Sequence, residues 1–395
     1  MHDGFLIFDI IFFILFTIFV INFLYTHRKK VQVENKIFFL YRTKIGLKLM
    51  DKIARKFPKS LNIIAVISII TGYIGMLASF LLLIAAIYQI STIAVVPNVP
   101  PVMPLVPWIQ LPGLPILYFT FWIIAIFIIA SVHETSHGIF SRLYKVKLKS
   151  SGFGFVGPLP AAFVEPDEKQ LQKKSMKQQI AVLSAGSFSN LITAAIFLLL
   201  MFLTISLMAP ATNPAIVSAP IQLVSIAKFS PAWNATLNES DGKIIEIETA
   251  NETISYFSNF SDSLDKLKPG DNITINVYES NHTKIREVTI TTIENPQNKS
   301  KSYFGISTQP YISDMSLKIT IWFWKLFQWL FLISFFVGLF NLLPFSIFDG
   351  GRIFYLTILK ITKNNKKKTE RIVKITNFIL LLLLFGMFLM WFIRI

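Results

Sequence analysis

The pentapeptide His133-Glu134-Thr135-Ser136-His137 is the part of the sequence best equipped for chemistry. In an α-helix, residues i and i+4 share a face, so both imidazoles can bind one Zn²⁺ while Glu134 lies beside the metal-bound water. The ion lowers the pKa of that water toward about 7, and the carboxylate accepts its proton and later delivers it to the leaving amine. A chance pentapeptide, or a histidine pair packed in a helix bundle, is the alternative interpretation. Only five His occur in the chain, and charge within an apolar helix is usually functional, so the spacing favours a metal site.

A catalytic zinc site also needs a third protein ligand and an open position. The chain contains no Cys, so this ligand must be His, Asp or Glu. Asp349 is the best candidate, because it follows an apolar segment and precedes Gly350 and Gly351, which let the backbone approach closely. By itself, an Asp-Gly-Gly sequence is more often a turn. Glu165 is a second candidate, but its polar surroundings are typical of a solvated face.

Long apolar segments carry these residues. The 395-residue chain is 53% hydrophobic, with 38 Phe and a mean hydropathy of +0.57, which is too apolar for an ordinary soluble protein. A membrane-spanning helix needs about 20 mostly apolar residues. Six spans are predicted, at residues 4–26, 62–90, 114–142, 179–208, 318–343 and 372–393. The net charge of +16 lies beside these spans, so a bilayer is expected as partner and nucleic acid is not.

The positions of the basic residues predict the topology. Lys and Arg concentrate at residues 28–59, 142–177 and 360–374, which the positive-inside rule makes cytoplasmic. The Pro-rich connection Thr92–Gly113 has no Lys or Arg and is expected outside. With six spans, residues 209–317 are then outside as well. Asp9, near the outer end of the first span, is expected to reach the interface.

Residues 209–317 have a different pattern from the rest of the chain. Apolar residues alternate with polar ones at Ile245 and Ile247, at Ile273, Ile275 and Val277, and at Val288 and Ile290, as in half-buried strands. Helical spacing at Phe260, Leu264 and Leu267 precedes a turn at 268–271. A compact α+β domain is predicted from Ser218 to Gln309. All Asn-x-Ser/Thr triplets of the chain lie in this segment, which agrees with an outside location, although such a composition also produces them by chance.

An H-E-x-x-H helix followed by N-L-L-P-x-x-x-x-D-G-G at 341–351 resembles the site-2 protease family of intramembrane zinc metalloproteases. The segments 163–168 (F-V-E-P-D-E) and 185–190 (A-G-S-F-S-N) agree with that family, as does a PDZ-like insertion between the core helices. The resemblance covers residues 114–356. It departs from the family pattern at Ser187, where the family usually has Pro.

The resemblance implies a role for each matching residue. One Zn²⁺ per chain would be held by His133, His137 and Asp349, with Glu134 as general base. Asn190 and Asn341 match asparagines that hold the substrate strand or stabilise the oxyanion, for which a neutral amide can donate a hydrogen bond. The segment Ser151–Phe163 matches a re-entrant strand hairpin, whose edge could pair with an unwound substrate helix.

The predicted fold is therefore a polytopic α-helical membrane protein with an inserted extracytoplasmic α+β PDZ-like domain. We predict N-terminal spans and a basic loop at 1–113, core segments at 114–208 and 318–395, and the PDZ-like domain at 209–317. The predicted function is zinc endopeptidase cleavage of single-span membrane proteins in the cell membrane, with peptide termini as possible ligands of the PDZ-like domain. Two alternatives stay open: a catalytically silent membrane scaffold, and an ion transporter that uses the same polar residues.

Overall fold

The computed structural model describes residues 2–34, 38–92, 105–108, 114–157, 159–208, 218–235, 237, 244–278, 283–296, 298–312 and 314–394. Most of the predicted Thr92–Gly113 connection, and the beginning of the predicted insertion at 209–217, lie outside these residues. Contacts divide the chain into two compact units, one of Asp9–Leu199 with Phe327–Ile395 and one of Met1–Phe8 with Leu200–Leu326. The predicted boundaries at 113, 208 and 317 stay predictions.

Long helices dominate the chain. They are α1 (His2–Thr26), α2 (Leu47–Lys56), α3 (Pro58–Thr92), α4 (Phe119–Leu143), α5 (Glu168–Gln172), α6 (Met176–Met208), α7 (Pro231–Asn234), α8 (Phe257–Leu264), α9 (Met315–Phe340), α10 (Asp349–Ile361) and α11 (Lys366–Arg394). Within the described residues, six of them are long and apolar enough to cross a membrane: α1, α3, α4, α6, α9 and α11. The prediction of a polytopic helical membrane protein is confirmed.

Several span ends differ from the prediction, and two of these differences matter for the site. The fifth span ends at Phe340 rather than at 343, because Leu342 and Leu343 turn back onto the last helical turn. Pro344 then prevents the helix from continuing. The third span begins at Phe119 rather than at 114. Asn341 therefore lies in a tight turn after α9 and not inside the helix.

Asp9 determines where α4 begins, and the expectation that it reaches the interface is wrong. Its side chain is 0% exposed. It accepts hydrogen bonds from the backbone N–H groups of Phe119 (2.7 Å) and Thr120 (2.8 Å), from Trp108 Nε1 (2.8 Å) and from Thr120 Oγ1. The first N–H groups of a helix have no partner within the helix. Asp9 supplies that partner from α1, so it caps the helix that carries the histidines.

The predicted hairpin at 151–163 belongs to a larger sheet. The strands are β1 (Val31–Glu34), β2 (Phe38–Thr43), β3 (Leu148–Val156) and β4 (Leu159–Pro166). They pair in the order β1-β2-β3-β4, all antiparallel. The sequence predicted only a basic loop where β1, β2 and α2 form. Gly152 permits this sheet, because a Cβ there would lie 2.1 Å from the carbonyl oxygen of Tyr41 on β2.

The unit that contains most of the predicted insertion is rich in strands. They are β5 (Ile221–Ile226), β6 (Ile244–Glu248), β7 (Thr253–Ile254), β8 (Asn272–Tyr278), β9 (Lys284–Thr291), β10 (Ile293–Asn295), β11 (Asn298–Tyr303) and β12 (Ile306–Pro310). The main sheet has the order β12-β5-β6-β8-β9, with β7 paired to β6. The alternation predicted at residues such as Ile245, Ile247 and Ile275 is confirmed, since all three are 0% exposed in one apolar core. The predicted helix is α8, which ends before Leu267.

Candidate metal centre

The histidines of α4 lie one helical turn apart and face the same point. Their Nε2 atoms are 3.0 Å from each other. His133 is 9% exposed and His137 is only partly exposed. The i, i+4 spacing thus brings the two nitrogens together as the sequence predicts.

Asp349 comes to the same point from the beginning of α10. Its Oδ2 lies 3.3 Å from His133 Nε2 and 3.2 Å from His137 Nε2. Two glycines explain how the turn can close. A Cβ at Gly350 would lie 2.2 Å from the carbonyl oxygen of Leu342, and one at Gly351 would lie 2.2 Å from that of Phe345. The Asp-Gly-Gly sequence therefore forms the beginning of α10, and its glycines allow the close backbone approach that brings the carboxylate to the histidines.

These three side chains fit a zinc ion. In a tetrahedral site with bonds of roughly 2.0–2.1 Å, the ligand atoms are about 3.3–3.4 Å apart. The observed separations of 3.0, 3.3 and 3.2 Å are close to that value. Gly186 on α6 leaves space beside the nitrogens, because a Cβ there would lie 2.5 Å from His137 Nε2 and 2.7 Å from His133 Nε2. The donor set and the free space both suit one small cation.

Helix α6 also controls which ring nitrogens can bind metal. His137 Nδ1 is 2.7 Å from the carbonyl oxygen of Val182, which can only accept, so Nδ1 carries the proton and Nε2 keeps its lone pair. His133 Nδ1 lies 3.1 Å from the amide nitrogen of Asn190, a residue that is 0% exposed. If His133 binds metal through Nε2, its Nδ1 must carry the proton. Exchanging the oxygen and nitrogen positions of the Asn190 amide places Oδ1 where it accepts a hydrogen bond from that N–H. Oδ1 has no other hydrogen-bond partner among the described residues, so the rotation breaks none of its bonds.

Glu134 is held from the opposite side by strand β4. Its Oε2 accepts a hydrogen bond from the backbone N–H of Val164 (3.0 Å). A carboxylate oxygen of Glu134 and a ring nitrogen of each histidine all lie within 4.8 Å of one another. Glu134 is thus close enough to exchange a proton with a group bound at the histidines.

A cavity of about 310 Å³ opens onto this cluster. Asn341 lines it, and its backbone oxygen accepts the N–H of Gly350 at 2.7 Å. Glu168 and Arg352 also line it and form an ion pair of 2.8 Å between α5 and α10. The cavity therefore contains both the proposed metal ligands and one of the two predicted asparagines.

Two acidic residues differ in their surroundings. Glu165, the second candidate ligand, accepts hydrogen bonds from Ser150 (2.8 Å) and Arg42 (3.3 Å), and these hold its pKa below the ordinary value. Burial by itself would raise the pKa of Asp349, but its contacts with His137 and His133 outweigh burial and lower it. Of the two carboxyl groups, Asp349 is the one in contact with the histidines.

Sequence reasoning missed the roles of several residues that shape the site. Asp9, Val164 and Val182 act through a cap, a backbone N–H and a carbonyl oxygen, for which local sequence carries no signal. Gly186 did carry a signal, since it lies in the A-G-S-F-S-N segment. Its contribution, which is free space, becomes visible only in three dimensions.

Known proteins match the sequence over most of its length. The sequence model of Peptidase family M50 matches residues 121–385, a stretch that contains both motifs. An uncharacterized protein of Methanocaldococcus jannaschii is 28% identical over 349 residues, which cover 86% of this chain and 84% of that protein. The family match spans more than half of the chain and confirms the resemblance inferred from the sequence. This multi-pass membrane protein belongs to Peptidase family M50, the site-2 protease family, a membership that implies a membrane metalloprotease.

Proposed function

We propose that the protein is an intramembrane zinc endopeptidase that hydrolyses peptide bonds of single-span membrane proteins in regulated intramembrane proteolysis. One observation carries the proposal: His133 and His137 from one membrane helix and Asp349 from the beginning of α10 converge within 3.3 Å of one another. Such convergence of ionisable groups among apolar helices is costly and usually functional. A transporter would instead spread polar groups over several spans.

The chain's own residues divide the work of hydrolysis. Zinc held by His133, His137 and Asp349 would act as a Lewis acid and lower the pKa of water. Glu134 accepts a proton from the attacking water and passes it to the leaving amine. The Val164 N–H keeps one oxygen of Glu134 in place, so the other oxygen is free for that exchange.

The two asparagines receive different roles. Asn341 lines the cavity and is partly exposed, which supports the predicted contact with substrate or with the developing oxyanion. Asn190 is fully buried behind His133. This contact supports a role in orienting the imidazole for metal, in addition to the predicted role toward substrate.

Strand β4 is the proposed docking edge for an unwound substrate. A helical peptide bond is shielded from attack, and an extended segment can add to a free sheet edge. The N–H of Val164 points away from β3 toward Glu134, so the N–H of Ala162, two residues earlier, points the same way. Pro160 and Pro166 have no N–H to offer. The usable edge is therefore short and lies directly beside Glu134.

The strand-rich unit is proposed to be an extracytoplasmic PDZ-like domain. The absence of Lys and Arg from Thr92–Gly113 and the clustered Asn-x-Ser/Thr triplets support that side of the membrane. There the domain would exclude substrates whose outer parts are intact, or bind newly formed peptide termini.

The test is co-expression with candidate single-span membrane proteins, comparing the native chain with Glu134→Gln. We expect cleavage by the native chain only, with about one zinc per chain in both proteins. Glu370→Gln, which changes an exposed glutamate on α11, is the matched control and should cleave normally. Cleavage by Glu134→Gln would contradict the proposal, and loss of zinc from it would make Glu134 a ligand. Zinc without cleavage in the native chain would favour the silent scaffold.

A further inference from the structure

Helix α2 is joined directly to a membrane-spanning helix. It ends at Lys56, and the membrane-spanning helix α3 begins two residues later at Pro58. A connection this short leaves α2 no room to move away from the polar end of the span. Its orientation then decides which of its faces meets the lipid headgroups.

The inner face of α2 packs directly behind the candidate metal centre. Leu47, Met50 and Ala54 are buried. Met50 lies against Gly138, the residue after His137, so closely that a Cβ on Gly138 would lie 2.4 Å from the Met50 sulfur. Asp51 forms an ion pair of 2.8 Å with Arg142, one turn further along α4. The helix is thus joined to α4 by packing and by charge.

The same inner face supports the strand that holds Glu134. Leu47 and Met50 form one apolar cluster with Leu148 of β3, and the side chain of Val164 packs against this cluster. The N–H of Val164 is the group that donates to Glu134. A displacement of α2 would therefore move both the end of the histidine helix and the partner of Glu134.

The outer face of α2 is a basic stripe. Its exposed members follow helical spacing of i, i+4, i+7 and i+8 and are Lys48, Lys52, Arg55 and Lys56. Asp51 is the one acidic residue of the helix, and Arg142 already engages it. Leu49 is 56% exposed and Phe57 is 48% exposed beside the stripe. Cations flanked by exposed apolar side chains are typical of helices that lie in a membrane interface.

We propose that this basic stripe binds the anionic headgroups of phospholipids and thereby holds α2 against the histidine helix. Phosphate oxygens accept charge-assisted hydrogen bonds from Lys and Arg, while Leu49 and Phe57 enter the boundary between headgroups and acyl chains. The partner is a lipid surface rather than an acidic protein, because α2 is fixed next to a span and carries apolar side chains among its cations. The proposal does not depend on the substrate or on proteolysis.

The absence of Cys from the chain makes a single-label experiment possible. The full chain with Leu49→Cys, carrying an environment-sensitive fluorophore, is placed in vesicles of phosphatidylcholine alone or of phosphatidylcholine with phosphatidylglycerol. We expect a blue shift of the emission with phosphatidylglycerol, and loss of the shift when Lys48, Lys52 and Lys56 are all changed to Gln. The matched control changes Lys366, Lys367 and Lys368 to Gln, removes the same charge elsewhere, and should keep the shift.

Each of the following results would overturn the proposal. They are equal emission in both vesicles, a shift that survives the change of Lys48, Lys52 and Lys56, and a shift abolished by inorganic phosphate, which would assign the stripe to free phosphate. A shift produced by adding polyglutamate, but not by phosphatidylglycerol in the vesicles, would assign the basic stripe to an acidic protein. Hydrogen exchange of the Val164 amide tests the link to the site. It should slow in phosphatidylglycerol vesicles for the parent and not for the Lys48/Lys52/Lys56 variant, and unchanged exchange would refute the link.

Discussion

Two carboxylates meet the same helix, one at its start and one near its other end, and they have opposite kinds of partner. At the start of α4, Asp9 accepts hydrogen bonds from backbone, indole and hydroxyl groups that can satisfy it by donating. Near the other end, Asp349 faces Nε2 atoms of two histidines, and His137 already uses Nδ1 to donate to Val182. A carboxylate surrounded by hydrogen-bond donors can cap a helix. A carboxylate that faces the lone pairs of ring nitrogens requires a cation between its oxygen and those nitrogens.

The comparison predicts that the two ends respond differently to mutation. Changes at the Asp349 end should alter zinc affinity more than folding, and changes at the Asp9 end should alter folding more than zinc affinity.

Asp349→Asn should have the largest effect. A neutral amide oxygen is a poorer ligand than a carboxylate, so zinc affinity should fall on the order of 100-fold or more, beyond the range typical of residues behind the ligands. Zinc competition with a chelator measures it, and the melting temperature should change little. Glu165→Gln is the control. Normal zinc binding by Asp349→Asn would show that Asp349 is not a ligand, and Glu165 would then be tested as the third ligand.

Gly186→Ala should also reduce zinc binding while leaving the helix intact. The new methyl group would lie 2.5 Å from His137 Nε2, so the imidazoles must turn away from the ion position. We expect at least about a tenfold loss of affinity, within the range for residues that orient ligands. Gly386→Ala is the matched control, since a Cβ there meets nothing within 4 Å. Equal zinc affinities for the two variants would contradict the assignment of the space beside Gly186 to the metal ion.

The effect of replacing Asn190 on zinc affinity should depend on whether the new side chain keeps an oxygen. In Asn190→Leu, His133 loses the acceptor for its Nδ1 proton, and zinc affinity should fall by about 10-fold to 100-fold. Asn190→Asp keeps an oxygen at that position and should restore most of the affinity. A purely structural role predicts no such rescue. The idea fails if Asp and Leu weaken zinc binding equally.

Asp9→Asn should have the smallest effect on zinc affinity and a clear effect on stability. Its amide nitrogen would face buried N–H donors, and an unsatisfied buried polar group costs about 1–3 kcal/mol. Thermal unfolding of the purified protein should therefore begin at a lower temperature. The control is Asn22→Leu, an exposed position on the same helix. If zinc affinity fell as much as in Asn190→Leu, the distinction between cap and ligand would not hold.

Some of the fold could be predicted because it follows from local pattern. Six apolar runs predict six spans, and period-two alternation predicts strands around Ile245 and Ile275. The sheet of β1 to β4 was only half predicted, because β2 pairs with β3 through residues more than 100 positions apart. The hydropathy pattern of a strand does not show which distant strand it pairs with. It also does not distinguish two registers that differ by two residues, because both place the same side chains on the same face.

For the site, the types of ligand and their spacing along one helix follow from the amino-acid sequence alone. H-E-x-x-H brings two nitrogens to one face whatever surrounds it, because the helical repeat is a local property. Three contacts depend instead on the folded chain: Asp349 rather than Glu165 meets the histidines, Val164 holds Glu134, and Asp9 caps the helix. The reason is physical: those contacts join segments separated by 30 to more than 200 residues, and packing of the whole bundle sets their distances.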